Sequence, residues 1–372
     1  MNNHDSHDSP PPNQPSADER ETLTDLTPSA LPGGREPPSR ERVPPAIPDH
    51  ELLRCIGRGS YGEVWLARNV MGAYRAVKIV YRDTFDSERP YEREFDGIQR
   101  FEPISRRHES QVDILHVGRN DEAGYFYYVM ELADDAGNES EKVGKGVSET
   151  DAVPPSHSLT DSPTHSRSLD PATYVPKTLR SDLKHRCRLP FEECLDIALS
   201  LTTALQHLHA HGLIHRDIKP ANIIFVEGLP KLADIGLVAQ TGKTLSFVGT
   251  EGYLPPEGPG SVQADIFSLG KVLYEICTGK DRLEFPEMPT FIDTLPEKTD
   301  LFEFNEVLLK ACYHDVRKRY QTAAQMHEDL LLLKAGKSVK RSHALERRLA
   351  LLTKLSVAGV ALTALVLAAY FY

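Results

Sequence analysis

At 372 residues, 40% of them apolar and 8% aromatic, the chain is long enough to fill a sizeable core and is no disulfide- or metal-stapled mini-protein. Its 43 Lys and Arg against 54 Asp and Glu give a net charge of -11, which excludes a protein that coats nucleic acid by charge alone. The five cysteines (Cys55, Cys187, Cys194, Cys277, Cys312) are odd in number and hold no Cys-x-x-Cys pair, arguing against a disulfide framework or a zinc site and for a reducing compartment.

In chain order, residues 1–48 come first and carry eleven of the 27 prolines with few apolar side chains. Such a stretch cannot offset its ordering entropy and predicts a disordered tail, read as a linker or as a ligand for a proline-binding module. The start, Met1-Asn2-Asn3-His4-Asp5, has no basic-then-apolar run, so no secretory leader is expected. Strands are predicted at Glu63–Ala67, Tyr74–Val80 and Tyr125–Met130, short β-branched or aromatic runs bounded by turn residues. Residues 135–175 are polar and rich in Ser, Thr, Pro and His, which predicts a disordered insertion within one domain spanning 49–335. From Phe191, apolar residues recur at three or four (Leu195, Ala198, Leu201, Leu205, Leu208), predicting a helix with Gly212 as its C-terminal glycine. Ala264–Cys277, apolar nearly all round, and Leu301–Cys312 predict further helices, the first of them buried.

The C-terminus changes character. Residues 336–354 are basic, and 355–372 are 18 residues without a charge, ending Tyr370-Phe371-Tyr372. At 1.5 Å per residue that run is about 27 Å of helix, near the hydrocarbon thickness of a bilayer. Lys334, Lys337, Lys340, Arg341, Arg347, Arg348 and Lys354 upstream would keep that side cytoplasmic. The expectation is a single transmembrane helix with the rest in the cytosol; a helix packed on the domain or pairing two copies is the alternative.

Chemistry concentrates within 49–335, on both sides of the insertion. Gly57-Arg58-Gly59-Ser60-Tyr61-Gly62-Glu63-Val64 is G-x-G-x-x-G-x-V, in which glycine lets backbone amides approach phosphate oxygens. A strand follows it, not a helix, which favours a phosphate-covering hairpin over a dinucleotide site. Ala76-Val77-Lys78 then places a lysine to meet α- and β-phosphates. His215-Arg216-Asp217-Ile218-Lys219-Pro220-Ala221-Asn222 groups an aspartate that can take a proton from an attacking hydroxyl, a lysine for γ-phosphate charge and an asparagine for a magnesium ion. Asp234-Ile235-Gly236 offers a second metal carboxylate, and Gly249-Thr250-Glu251-Gly252-Tyr253-Leu254-Pro255-Pro256-Glu257 closes a loop suited to a peptide.

These residues in this order resemble the protein-kinase signature set, most closely the eukaryotic-like serine/threonine kinases of bacteria that are anchored in the membrane. The resemblance implies an α+β, bilobal fold: a β-rich N-lobe over 49–132, a helical C-lobe over 176–335, and ATP with Mg2+ in the cleft. It implies ATP contacts from Ile56, Gly57, Arg58, Gly59, Ser60, Tyr61, Gly62, Val64, Ala76 and Lys78. Glu131 and Leu132, after the gatekeeper Met130, would form the hinge. Catalysis falls to Asp217 and Lys219, metal binding to Asn222 and Asp234. The partner of Lys78 is expected in the helix around Tyr91–Phe95, with Glu94 preferred and Glu92 second. Ile98, Ile235, His215 and Asp265 would form an internal column, and Arg319, ahead of Arg317, would pair with Glu257. Lys219 and Gly249-Thr250 are similar to kinases that modify serine and threonine. Arg216 resembles kinases switched on by loop phosphorylation, for which Thr244, Ser246 and Thr250 are the candidate phosphosites, Thr250 more in keeping with a groove lining.

Two departures stand out: Ile235 where the family has phenylalanine and Pro255 where it has alanine. Neither removes a charge that catalysis uses. The expected function is ATP-dependent phosphorylation of protein Ser/Thr hydroxyls, with self-association for trans-autophosphorylation and no nucleic-acid partner. The rivals are a pseudokinase scaffold, against which the intact Lys78, Asp217, Asn222 and Asp234 speak, and a small-molecule phosphotransferase.

Overall fold

The computed structural model describes residues 42–59, 61–139, 169–234, 239–240 and 250–345, and only isolated positions beyond. The chain divides into two units, Met1–Val43 and Pro44–Tyr372, and every element below belongs to the second.

Five strands build the front of that unit: β1 (His50–Gly59), β2 (Gly62–Asn69), β3 (Tyr74–Tyr81), β4 (Ile114–Asn120) and β5 (Tyr125–Met130), with α1 (Glu88–Ser105) between β3 and β4. They form one antiparallel sheet in the order β1-β2-β3-β5-β4. Because side chains alternate across a strand, the wholly buried β5 serves two layers. Tyr125, Tyr127 and Val129 face Ile47, Val77 and Ile79 on one side, while Phe126, Tyr128 and Met130 join Ala76, Val80, Tyr91 and Ile98 in the main core. Lys78, two residues from Ala76 and from Val80, therefore lies on the α1 side.

The helical part follows: α2 (Leu179–Arg186), α3 (Phe191–Ala210), α4 (Val262–Thr278), α5 (Lys298–Ala311) and α6 (Ala323–Lys334). Short strands β6 (Leu213–Ile214), β7 (Ile223–Val226), β8 (Leu229–Leu232) and β9 (Ala239–Gln240) pair β6 with β9 and β7 with β8. α4 is buried on nearly every face, as its composition predicts, and stops where Gly279 turns left-handed. The bilobal α+β architecture is thus present.

Three predicted boundaries need correction. The disordered tail was expected to reach residue 48, yet Ile47 is buried beneath the sheet and bridges His50. The insertion was expected over 135–175, yet both of its ends are folded. Ala136 N–H donates to the Val175 carbonyl at 2.8 Å, Arg54 donates to the carbonyls of Pro171 (3.0 Å) and Tyr174, and the buried Tyr174 hydroxyl donates to Ala133 O at 3.0 Å. Asp135 and Asp170 cap these turns through their side chains, so residues that read as linker by polarity are turn-formers. Residues 1–41 and 140–168 lie outside the described residues. Third, the domain was expected to end at 335, yet the start of the basic 336–354 segment packs on it: Val339 is buried, Ser338 and the Val339 amide meet Glu303, and Lys340 meets Glu306. The predicted span 355–372 falls almost wholly outside the described residues, among which no helix is long and apolar enough to cross a membrane.

Candidate active site

The glycine-rich hairpin is the β1–β2 turn, where Gly59 pairs with Gly62 and Ser60 lies outside the described residues. A Cβ at Gly62 would sit 2.0 Å from the Ile79 carbonyl oxygen, so this glycine is demanded by the sheet itself. At Gly59 nothing lies within 4 Å, and at Gly57 only Val64, at 3.6 Å. The fold leaves those two positions room for a side chain, and a ligand under the hairpin is what gives their bareness a use. Tyr61 turns inward and stacks on Phe85 at 4.5 Å; Ile56 and Val64 are half-buried, Arg58 lies out on the strand, and Ala76 is buried.

Beneath the hairpin, Lys78 is buried and meets two carboxylates. It donates to Asp234 in a close ion pair, and its Nζ is 3.9 Å from Glu94 Oε1. Glu94 shares the buried stripe of α1 with Tyr91, Ile98 and Phe101, whereas Glu92 turns outward and forks onto Arg119 at 2.6 and 2.7 Å. The choice between the two glutamates therefore falls to Glu94. Burial pushes its carboxyl up to about 7, only partly opposed by Lys78. Burial works to lower the Lys78 pKa, but Asp234 above all, with Tyr128 and Glu94, holds it well above the ordinary lysine value.

The segment after β6 carries the reactive cluster. Asn222 donates through Nδ2 to the Asp217 carbonyl and to Oδ2, both at 2.9 Å; Lys219 Nζ lies 2.7 Å from Oδ2, and the Thr250 hydroxyl donates to Oδ1 at 3.0 Å. Lys219 also donates to Thr250 at 2.9 Å. The contacts to Oδ1 and Oδ2 fix where the carboxylate points. The loop is fixed from below by Asp265 of α4, whose carboxylate accepts from the His215 amide (2.8 Å), the Arg216 amide (2.8 Å) and His209 Nε2 (2.9 Å). Burial alone would raise the Asp265 pKa, but the hydrogen bond and charge of His209, with His215 and the Arg216 amide, hold it below the usual carboxylate range. Arg216 is thereby kept at a φ of 73, left-handed for a non-glycine residue. Of the expected column, Ile98, His215 and Asp265 are all buried, and Ile235 lies outside the described residues.

Beyond the loop, Arg319, with no exposed side-chain surface, forks onto Glu257; Arg317 instead pairs with its neighbour Asp315. At the hinge, Glu131 gives its amide to Asp113 O at 3.2 Å, and its side chain accepts from the Asp113 amide (2.9 Å) and Lys231 (2.6 Å). The carbonyl is what Glu131 has left to offer a base, and half-buried Leu132 packs on the main core. Thr244 and Ser246 lie outside the described residues. Sequence reasoning missed His209, the third donor to Asp265, which sits 56 residues away with no spacing to mark it, and the Arg54–Tyr174 clasp.

A divalent cation fits what is present. Asn222 commits its Nδ2 to Asp217, leaving its amide oxygen as a donor, and Asp234 supplies a carboxylate. No group of three or more His, Cys, Asp or Glu that could hold a metal occurs among the described residues. Two protein oxygens suit a hard cation that completes its shell with phosphates and water.

Comparison with known proteins agrees with this geometry. Residues 172–333 match the protein kinase domain family. A probable serine/threonine-protein kinase of Clostridium perfringens is 26% identical over 314 residues, 78% of this chain and 39% of that protein. Serine/threonine-protein kinase PknB of Mycobacterium leprae is 33% identical over 181 residues, 43% of this chain and 29% of its own. The DNA damage-responsive serine/threonine-protein kinase RqkA of Deinococcus radiodurans is 27% identical over 267 residues, 68% of this chain and 31% of that one. The chain thus spans less than two fifths of the length of the curated relatives it matches. The hairpin, the Lys78–Glu94 pair and the Asp217 cluster agree with these matches: residues 172–333 carry a protein kinase domain, and the chain is similar to bacterial serine/threonine protein kinases.

Proposed function

We propose that this chain uses ATP and Mg2+ to phosphorylate serine and threonine hydroxyls of proteins, from the cytoplasmic face of a membrane, in keeping with a bacterial inner-membrane protein. The observation that carries the reading is the Asp217 carboxylate, ringed at 2.7–3.0 Å by Asn222, Lys219 and Thr250. A substrate hydroxyl aimed at that carboxylate gives it a hydrogen bond and then its proton as the oxygen attacks the γ-phosphorus, whose bond to the β–γ bridging oxygen breaks so that ADP leaves with that electron pair. Lys219 offsets charge on the transferring group, and Lys78, held by Glu94, does so on the α- and β-phosphates. Asn222 and Asp234 would hold magnesium, which when bound offsets the negative charge of the phosphates.

The test is the full chain incubated with ATP and Mg2+ beside Asp217→Asn, with phosphosites mapped by mass spectrometry. The aspartate should be worth about 10²–10⁴-fold in rate; equal transfer by both proteins refutes the assignment. Phosphate at Thr244 or Ser246 would place regulation in the loop next to Arg216, and transfer between copies would appear as a rate rising with protein concentration. For the membrane, the full chain should stay in the pellet after carbonate washing while a chain ending at residue 345 is released; extraction of both refutes an anchor at 355–372.

A further inference from the structure

Beside the reactive cluster lies a cavity of about 210 Å³, lined by Arg180 and Leu183 of α2, Lys219 to Ala221, Thr250, Tyr253, Glu275 of α4 and Arg282. Two of its lining groups, Lys219 and Thr250, are those that touch Asp217, so a chain presenting a hydroxyl to Asp217 passes its neighbouring side chain over this cavity. The cavity has one carboxylate, and that carboxylate is occupied. Glu275 accepts a hydrogen bond from the Tyr253 hydroxyl through Oε2, and its Oε1 lies 3.6 Å from Arg282. Arg282 is locked in place: its Nε donates to Glu251 O at 3.0 Å, its guanidinium stacks over the Tyr253 ring at 4.8 Å, and Asp281 meets it from outside the cavity at 3.1 Å. Its second amino nitrogen takes part in none of these contacts. Across the cavity Arg180 is exposed, with no charged partner among the described residues.

From this arrangement the geometry points to a substrate-specificity site: the cavity takes an acidic side chain, Asp or Glu, flanking the phosphorylated residue, with Arg180 and Arg282 as its recognition groups. A basic side chain would find Glu275 already engaged and two guanidiniums in its way, so the same site also selects against lysine. The inference rests on the kinase reading above and adds its substrate class.

The test uses the full chain, ATP and Mg2+ with synthetic Ser/Thr peptides in which each position flanking the acceptor is in turn Glu, Gln or Lys. The readout is the ratio of kcat/KM for Glu over Gln at each position, which is insensitive to how much enzyme is active. At one position that ratio should reach about fivefold, the upper end for a partly solvated ion pair, and should shrink as salt is added. Arg180→Glu should invert the preference at that position, giving a gain for the Lys peptide that a misfolded protein cannot produce. Turnover with no Glu preference, a wild-type preference for Lys, or an unchanged ratio in the Arg180→Glu protein overturns the inference alone. No turnover of any peptide overturns the kinase reading and the inference with it.

Discussion

Asp265→Asn is the substitution whose effect the structure sets most tightly. The carboxylate is 1% exposed and accepts three N–H bonds, two on Oδ2 from the His215 amide and His209, one on Oδ1 from the Arg216 amide. An asparagine keeps one oxygen. In its better orientation the oxygen serves His215 and His209, and the new NH2 faces the Arg216 N–H, donor against donor. One charge-assisted bond is lost, about 2 kcal/mol, and two fall to neutral strength at about 0.5–1 kcal/mol each, so the expected loss is about 3–4 kcal/mol. Urea unfolding of the full chain at neutral pH reads it. The pH arm follows from the depressed Asp265 pKa: its stabilisation is present above the carboxylate's unfolded value and is lost as pH falls through the folded one. The wild type should therefore lose stability on acidification more steeply than the variant. Arg216, freed from its left-handed conformation, would let Asp217 drift, so kcat should fall by more than the KM for ATP changes. A midpoint within about 0.5 kcal/mol of wild type, with kcat preserved, would refute the claim that this carboxylate holds the loop.

The remaining predictions concern the sheet, the lobe contact and the buried pair. Gly62→Ala should destabilise by about 1–3 kcal/mol in thermal unfolding because its Cβ meets the Ile79 carbonyl, while Gly59→Ala should leave the midpoint alone and weaken ATP binding in a titration. Arg319→Ala removes a fully buried guanidinium and leaves the carbonyls of Tyr313 and Gln263 without that donor, so it should cost about 1–3 kcal/mol by urea unfolding, while Glu257→Gln, at a side chain a third exposed, should cost less. Glu94 has its carboxyl raised from 4.5 to about 7 by burial, so its contribution to stability is present below pH 4.5 and lost as pH rises through 7. Glu94→Gln should flatten that slope, a difference of up to about 3 kcal/mol in unfolding free energy between the two ends of the window.

Much of the fold and the site could be read from the chain because local rules and global packing agree there. The Tyr125–Met130 run is all apolar and was expected as a strand; it is β5, buried on both faces. The Asp217 loop could be read because its chemistry lies within eight consecutive residues. The Glu92 and Glu94 ambiguity was open to resolution by helix phase: Glu94 lies three after Tyr91 and four before Ile98, on the stripe that packs inward. Other contacts left no local trace. Arg54 and Tyr174 are 120 residues apart, and Asp265 and His209 are 56 apart. Polarity alone assigned 169–175 to a linker, although one aromatic ring and two turn-forming aspartates suffice to fold it.

Thr250 and Arg216 show how position separates two roles that sequence left joined. Both were tied to loop phosphorylation, Thr250 as an acceptor and Arg216 as the cation awaiting the phosphate. Thr250 uses its hydroxyl to donate to Asp217 at 3.0 Å and to accept from Lys219 at 2.9 Å. A phosphate there would carry about two negative charges into contact with the Asp217 carboxylate and draw off the Lys219 ammonium that supports it, which opposes catalysis on both counts. Thr250 thus belongs to the acceptor groove. Arg216 is different: its guanidinium is half-buried, its Nε has no hydrogen-bond partner among the described residues, and burial together with the like charge of Arg93 lowers its pKa despite Asp265. We propose that a phosphate at Thr244 or Ser246 would be a partner for this guanidinium. Under that proposal an activating modification falls at those two residues and not at Thr250, where a phosphate would meet the Asp217 carboxylate.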